Sequence, residues 1–280
     1  MKTATPFALL ALVGSALLSP AASAAPACAH SAPQALTLDL AGAKGVIFEV
    51  GAQDLQLVSR SGGDGRLAGR ACASTKDLLS TLSITQQREG DQQVVRMQRS
   101  QGVLNINLGN SYARLELRGA LPADLPVSLR VGSGDAAVSG APSLQASVGS
   151  GDLDARDISG AVSLSVGSGD ATLQRIGSLQ LDAVGSGDVS ATTILGTARI
   201  GALGSGDINL EQVRGNVEIG SVGSGDITLK GVGGNVSLRA MGSGDLEVRD
   251  VAGNLSATKV GSGQVRHSGV RGQVQLPSKR

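Results

Sequence analysis

The chain has 280 residues, a formal net charge of +1, 41 glycines and, as its aromatic residues, two phenylalanines and one tyrosine. A near-neutral chain with no basic cluster lacks the footprint of a nucleic-acid binder and of a protein that docks electrostatically on anionic membranes. It also lacks the aromatic girdles of a porin-like barrel, and past the N-terminus no uncharged apolar run is long enough for a membrane helix.

Residues 1–24 read as a secretory signal peptide. Lys2 supplies the positive start, Phe7 to Val13 begin a short apolar stretch, and Ala22-Ser23-Ala24 gives the small-x-small cleavage pattern. The mature chain is expected to be exported to the periplasm or cell surface of a Gram-negative bacterium, with no integral membrane segment after signal cleavage. Cys28 follows Ala25-Pro26-Ala27, without the leucine-led box of a lipidated cysteine. Cys28 and Cys72 are the two cysteines, and in an exported chain an even pair reads as a disulfide.

Residues 25–118 predict an irregular N-terminal β region. Its strand-like runs are Leu36 to Leu40, Val46 to Val50, Gln93 to Met97 and Arg114 to Leu117, unevenly spaced. They are expected to cap the C-terminal repeats, with imperfect coils of their own. The boundary falls near Leu121-Pro122-Ala123-Asp124-Leu125-Pro126.

Residues 119–276 are governed by a repeat. Gly-Ser-Gly-Asp starts at Gly132, Gly149, Gly167, Gly185, Gly204, Gly223 and Gly242, and an eighth copy at Gly261 ends in Gln264. The step grows from 17 to 18 and settles at 19 residues. That period is too short for a two-helix repeat and fits one coil of a β-solenoid. Apolar residues fall into columns: Ile208, Ile227, Leu246 and Val265; Val213, Val232, Val251 and Val270; Val217, Val236, Leu255 and Val274. Within a coil they alternate with polar residues, which is the period of a strand. Gly215, Gly234, Gly253 and Gly272 form a turn column that wants either positive φ or close backbone approach. Asn216, Asn235 and Asn254, with Gln273, come next in each coil and are placed to cap turn groups along the stack. No proline interrupts residues 143–275, as a continuous ladder requires. The predicted fold is all-β, a single-chain parallel β-solenoid, right-handed by the rule for parallel crossovers, with an irregular N-terminal β cap. At residues 277–280 the tail Pro277-Ser278-Lys279-Arg280 brings proline and charge to the open edge.

These coils, led in by Leu125-Pro126-Val127-Ser128-Leu129, resemble the auto-transporter adhesin head-GIN domains and related exported domains of unknown function. The likeness is strong over about residues 110 to 276 and weaker over 30 to 110. It implies a parallel β-helix in the cell envelope and brings no catalytic residues with it.

The aspartate column, Asp135, Asp152, Asp170, Asp188, Asp207, Asp226 and Asp245, holds the most chemistry. Carboxylates about 4.8 Å apart repel by about 1 kcal/mol in water. One reading offsets this by screening and by hydrogen bonds from turn N–H groups to the carboxylates, as in Asx-turns. The other offsets it with bound calcium. No Gly-Ser-Gly-Asp turn leads into a Lys-Ser/Thr helix start, which excludes a phosphate-binding loop. His30 and His267 are the two histidines, and neither neighbours a nucleophile motif. Catalytic, cofactor and metal residues are therefore expected to be none. The expected role is a non-enzymatic structural or adhesin-like interaction protein with an envelope or surface partner of unknown identity. The alternatives are a periplasmic cation- or ligand-binding module using the aspartate column and, third, a β-helical carbohydrate-active enzyme.

Overall fold

The computed structural model describes residues 28–100 and 111–278. The signal peptide read over residues 1–24 lies outside them, as do Lys279 and Arg280. Strands β1 (His30–Thr37), β2 (Gly45–Val50), β3 (Asp54–Arg60) and β4 (Arg66–Ala73) precede a short helix, α1 (Lys76–Ser80). Then come β5 (Leu82–Glu89), β6 (Gln92–Arg99) and β7 (Ala113–Pro122). From β8 (Val127–Val131) and β9 (Ala136–Ser139) onward the chain winds as a parallel β-solenoid.

Each coil contributes two strands, one before the Gly-Ser-Gly-Asp corner and one after it. Each strand pairs in parallel with its counterpart in the next coil, so two ladders rise side by side. Ile208 pairs with Ile227 and that with Leu246, while Val217 pairs with Val236 and that with Leu255, as the repeat alignment demands. The lengthening of the repeat falls between Ser139/Arg156 and Leu144/Val162, and again between Ile176/Ile194 and Leu179/Ala198. Alternation places one set of side chains between the ladders. Val127, Leu144, Val162, Leu179, Ala198, Val217, Val236 and Leu255 are all buried in one such column. Burying a Val or Leu contributes about 1.5 to 3 kcal/mol, and this repeated aliphatic column is the core.

The stack begins before the recognisable repeats. β2 pairs in parallel with β8, Val50 opposite Val131, and β3 pairs with β9, Leu55 opposite Ala136. Gly51-Ala52-Gln53-Asp54 therefore occupies the corner under Gly132-Ser133-Gly134-Asp135. The ladders thus cross the boundary expected near residue 118. Below this coil lie β6, parallel to β2, and β7, parallel to β3. The stacking order is not the chain order: the segment of β2 and β3 is sandwiched between two segments that lie C-terminal to it in sequence.

Antiparallel strands finish the N-terminal end. β5 pairs with β6, β4 with β7 and β1 with β4. The loop after β1 crosses this end, buries Leu38, and is held where the Gln86 side chain accepts from the Asp39 N–H and donates to the Thr37 carbonyl. Cys28 and Cys72 form the disulfide expected from the sequence, tying the start of β1 to β4 across 44 residues. Closing a loop of that size stabilises by about 4 kcal/mol in the chain-entropy picture.

Candidate functional site

The Gly-Ser-Gly-Asp corner is built by close approach. At its third position a Cβ on Gly151, Gly169, Gly187, Gly206, Gly225 or Gly244 would lie within 1.8 to 2.0 Å of the carbonyl oxygen of the matching glycine one coil below. No side chain fits there, and none of these glycines has positive φ. The first coil is the exception, and its reason is structural. There Gln53 takes this position over the N-terminal cap, in register with Leu115 of β7. Its side chain is buried and accepts from the Leu115 N–H at 2.5 Å.

Stacking pairs most N–H groups of the corner with carbonyls of the coil below: in one coil Gly149 donates to Val131, and Ser150 and Gly151 to Gly132. The aspartate N–H is left over. It donates to the carboxylate of the aspartate one coil down: Asp152 to Asp135 Oδ1, Asp170 to Asp152, Asp188 to Asp170, Asp207 to Asp188, Asp226 to Asp207 and Asp245 to Asp226, at 2.7 to 3.2 Å. Gln264 donates to Asp245 and ends the series. Each carboxylate thus satisfies a backbone donor in the neighbouring coil, whereas an Asx-turn would have kept the bond within its own turn. Asparagines do the same at the opposite corner, with Asn235, Asn254 and Gln273 donating to Asn216, Asn235 and Asn254 Oδ1 at 2.8 Å. There the glycine column also serves close approach, since a Cβ on Gly234, Gly253 or Gly272 would meet the asparagine of the coil below.

At the N-terminal end of the aspartate corner the carboxylates crowd. Asp54, Asp135, Asp152, Asp154 and Asp170 line one open groove. Burial pushes the Asp54 carboxyl above its ordinary value, with the charges of Asp135 and Glu116 adding to the effect, against the Asp135 N–H and Arg114. Among the described residues no group of three or more His, Cys, Asp or Glu is placed to hold a metal ion. His30 sits at the start of β1 and His267 in the last coil, so the structure does not bring the two histidines together.

A third column carries no signal in the sequence. Gly140, Asp157, Arg175, Thr193, Gln212, Gly231, Asp250 and Gly269 all have φ between 53° and 75°. Each stands five residues after the last residue of its corner, and in the longer strands the ladder register skips one residue there, as between Thr192/Glu211 and Ile194/Val213. The left-handed residue lets two successive side chains face outward before the next apolar one turns in. Only three of these eight positions are glycine, so composition does not mark them. The side chains link along the stack, Arg175 to Asp157 at 2.6 Å and Thr193 Oγ1 to Gln212 Oε1 at 2.9 Å. The Arg175 guanidinium holds the Asp157 carboxyl below its ordinary value.

On the outward faces acids and bases neutralise each other locally. Arg156 pairs with Asp154, Arg199 with Glu218, Arg249 with Glu247, and Glu49 with both Arg96 and Arg130. No helix among the described residues is long and apolar enough to cross a membrane.

Two aliphatic ladders, polar side-chain ladders at both corners and charge-paired outer faces define a parallel β-solenoid with a solvent-facing repetitive surface. The chain belongs to the Toastrack DUF4097 family, whose model matches residues 63–249. No curated protein matches it. Among solved structures it is similar to a candidate adhesin from Parabacteroides merdae ATCC 43184, at 16% identity over 89% of this chain and 97% of that one, with a TM-score of 0.41. It is also similar to a candidate lipid-binding protein from Parabacteroides distasonis ATCC 8503, at 14% identity over 88% and 97% of the two chains, with a TM-score of 0.37. A third is a candidate cell adhesion protein from Clostridium sporogenes ATCC 15579, at 10% identity over 89% and 100%, with a TM-score of 0.29. Superpositions this loose transfer no role to the chain.

Proposed function

We propose that this is an exported, non-enzymatic interaction protein of the Gram-negative cell envelope, adhesin-like in using a long repeated surface for many weak contacts. The observation that carries the reading is the outward pattern of the ladders. Successive coils present outward polar and charged side chains at one fixed spacing of about 4.8 Å, so a partner lying along the stack meets many closely spaced contacts. Multivalency of this sort needs no deep pocket, and the grooves along the flanks are open and lined by ladder residues such as Arg199, Glu218 and Ser237. The Cys28–Cys72 bond suits an oxidising compartment, and the sequence pattern at Ala22-Ser23-Ala24 suits export. The head-GIN resemblance over residues 110 to 276 points to the same compartment.

The test is accessibility on intact cells. An impermeant label or added protease reaches the protein if it acts at the surface, and the adhesin-like reading then stands. Protection until the outer membrane is opened would sink that reading and leave a periplasmic protein.

A further inference from the structure

The two ends of the stack differ. At the N-terminal end antiparallel strands and a crossing loop cover the core. At the other end Val265 and Val270, in the columns of the buried Leu246 and Val251, are only half-buried, and Val274 and Leu276 are each 38% exposed. The backbone is open as well. Val265–Val270 pairs only with Leu246–Val251, and Val274–Gln275 covers only the first two residues of Leu255–Val260. Among the described residues no further strand meets either edge.

The charge at this end is one-sided. From Asn254 to Ser278 the sequence carries Lys259, Arg266 and Arg271 and no aspartate or glutamate, and Gln264 stands where every earlier coil has its corner aspartate. Arg266 reaches back to Asp245 at 3.1 Å, while Lys259 and Arg271 have no carboxylate partner among the described residues. His267 adds a polar group in a column that is aliphatic in the coils below.

We propose that this last coil is a docking edge for an extended, acidic strand of a partner protein. The strand continues the ladder of Val265–Val270, its alternate apolar residues rest on Val265 and Val270, and its carboxylates meet Arg271 and Lys259. Each feature of the end asks for part of that partner. Open N–H and C=O groups need another backbone, which a lipid surface does not supply. The cationic rim disfavours the same end of a second copy, because it would set like charges against each other. The site is separate from the flanks on which the proposed function rests, so the two readings stand or fall independently.

The experiment uses the purified disulfide-bonded protein and three labelled decapeptides with blocked ends, read by fluorescence anisotropy at low and moderate salt. One alternates valine with glutamate, one valine with lysine, and the third is the glutamate peptide with proline at alternate positions. The glutamate peptide is expected to bind about tenfold more tightly than the lysine peptide. Binding is lost in the proline peptide, which cannot donate along a ladder. In the double variant K259E/R271E the preference reverses toward the lysine peptide. Both residues are exposed, and an unchanged melting temperature confirms that the variant folds. Equal binding of all three peptides, or a preference that survives charge reversal, overturns the proposal. So does a dimer in sedimentation, or flotation with anionic vesicles, that disappears in K259E/R271E without any peptide preference. Those results assign the end to a second copy or to a membrane.

Discussion

At the scale of single residues the stack separates glycines held by space from residues held by hydrogen bonding. Gly206 is of the first kind, since its Cβ would lie 1.9 Å from the Gly187 carbonyl oxygen. Gly206→Ala must therefore push two coils apart, and we expect a loss of about 3 kcal/mol or more in chemical denaturation. The neighbouring Ser205 is exposed, and Ser205→Ala is expected to change stability by less than about 0.5 kcal/mol. Equal losses in the two variants would contradict this account of the corner. Asp54 makes a different prediction. Its folded pKa lies above the ordinary 3.8, so the folded state holds its proton more tightly than the unfolded chain does. Its contribution to stability is then least favourable at neutral pH and improves as pH falls through the raised value. Asp54→Asn should stabilise the protein at neutral pH, and the advantage should shrink on acidification. A melting-temperature series against pH, run on both proteins, reads this directly.

At the scale of the strand the left-handed column carries an energetic cost that recurs in every coil. An L-residue in this conformation costs about 1 to 2 kcal/mol, least for Gly, Asn and Asp and most for β-branched residues. Gly231→Val is expected to lower stability by about that amount, and Thr193→Asn to raise it by a few tenths, in equilibrium unfolding. The contrast also separates what residues alone reveal from what only contact decides. The aspartate and asparagine columns were legible because the same letters recur at a nearly fixed step, and hydrogen bonding along a stack needs those letters. For the Gly234 column the sequence left positive φ and close approach both open, and contact with the neighbouring coil decides it. The left-handed column uses Gly, Asp, Arg, Thr and Gln for one backbone role, so no letter marks it. Gly51-Ala52-Gln53-Asp54 was missed for a related reason. It lacks the serine and second glycine, and the coil it supports begins only at Val127. The candidate interaction surface was legible as alternation along the strands, whereas the uncovered C-terminal edge depends on which strands pair.

At the scale of the molecule each coil touches chiefly its neighbours, so local damage should stay local. The disulfide joins two points of the N-terminal cap. Cys28→Ser with Cys72→Ser is therefore expected to speed amide exchange in β1 and β4 while leaving the coils around Val236 and Leu246 protected as before. Loss of protection along the whole stack would mean that cap and coils unfold as one cooperative unit. Charge is distributed on the same local principle. On the flanks acids and bases pair within a coil or between adjacent ones, as Arg156 does with Asp154 and Arg199 with Glu218, whereas the last coil carries cations alone.

The placement of β2 and β3 between β6–β7 and β8–β9 sets a timetable. A polypeptide made N-terminus first presents residues 45–60 before either of their eventual neighbours, residues 92–122 and 127–139, has emerged. That coil pairs on one side only once residues 92–122 are available, and on the other only with residues 127–139. A solenoid stacked in chain order could harden rung by rung as it arrives. This one keeps an early rung open while its neighbours are still to come, and that interval is where a holding factor, or misassembly, would act.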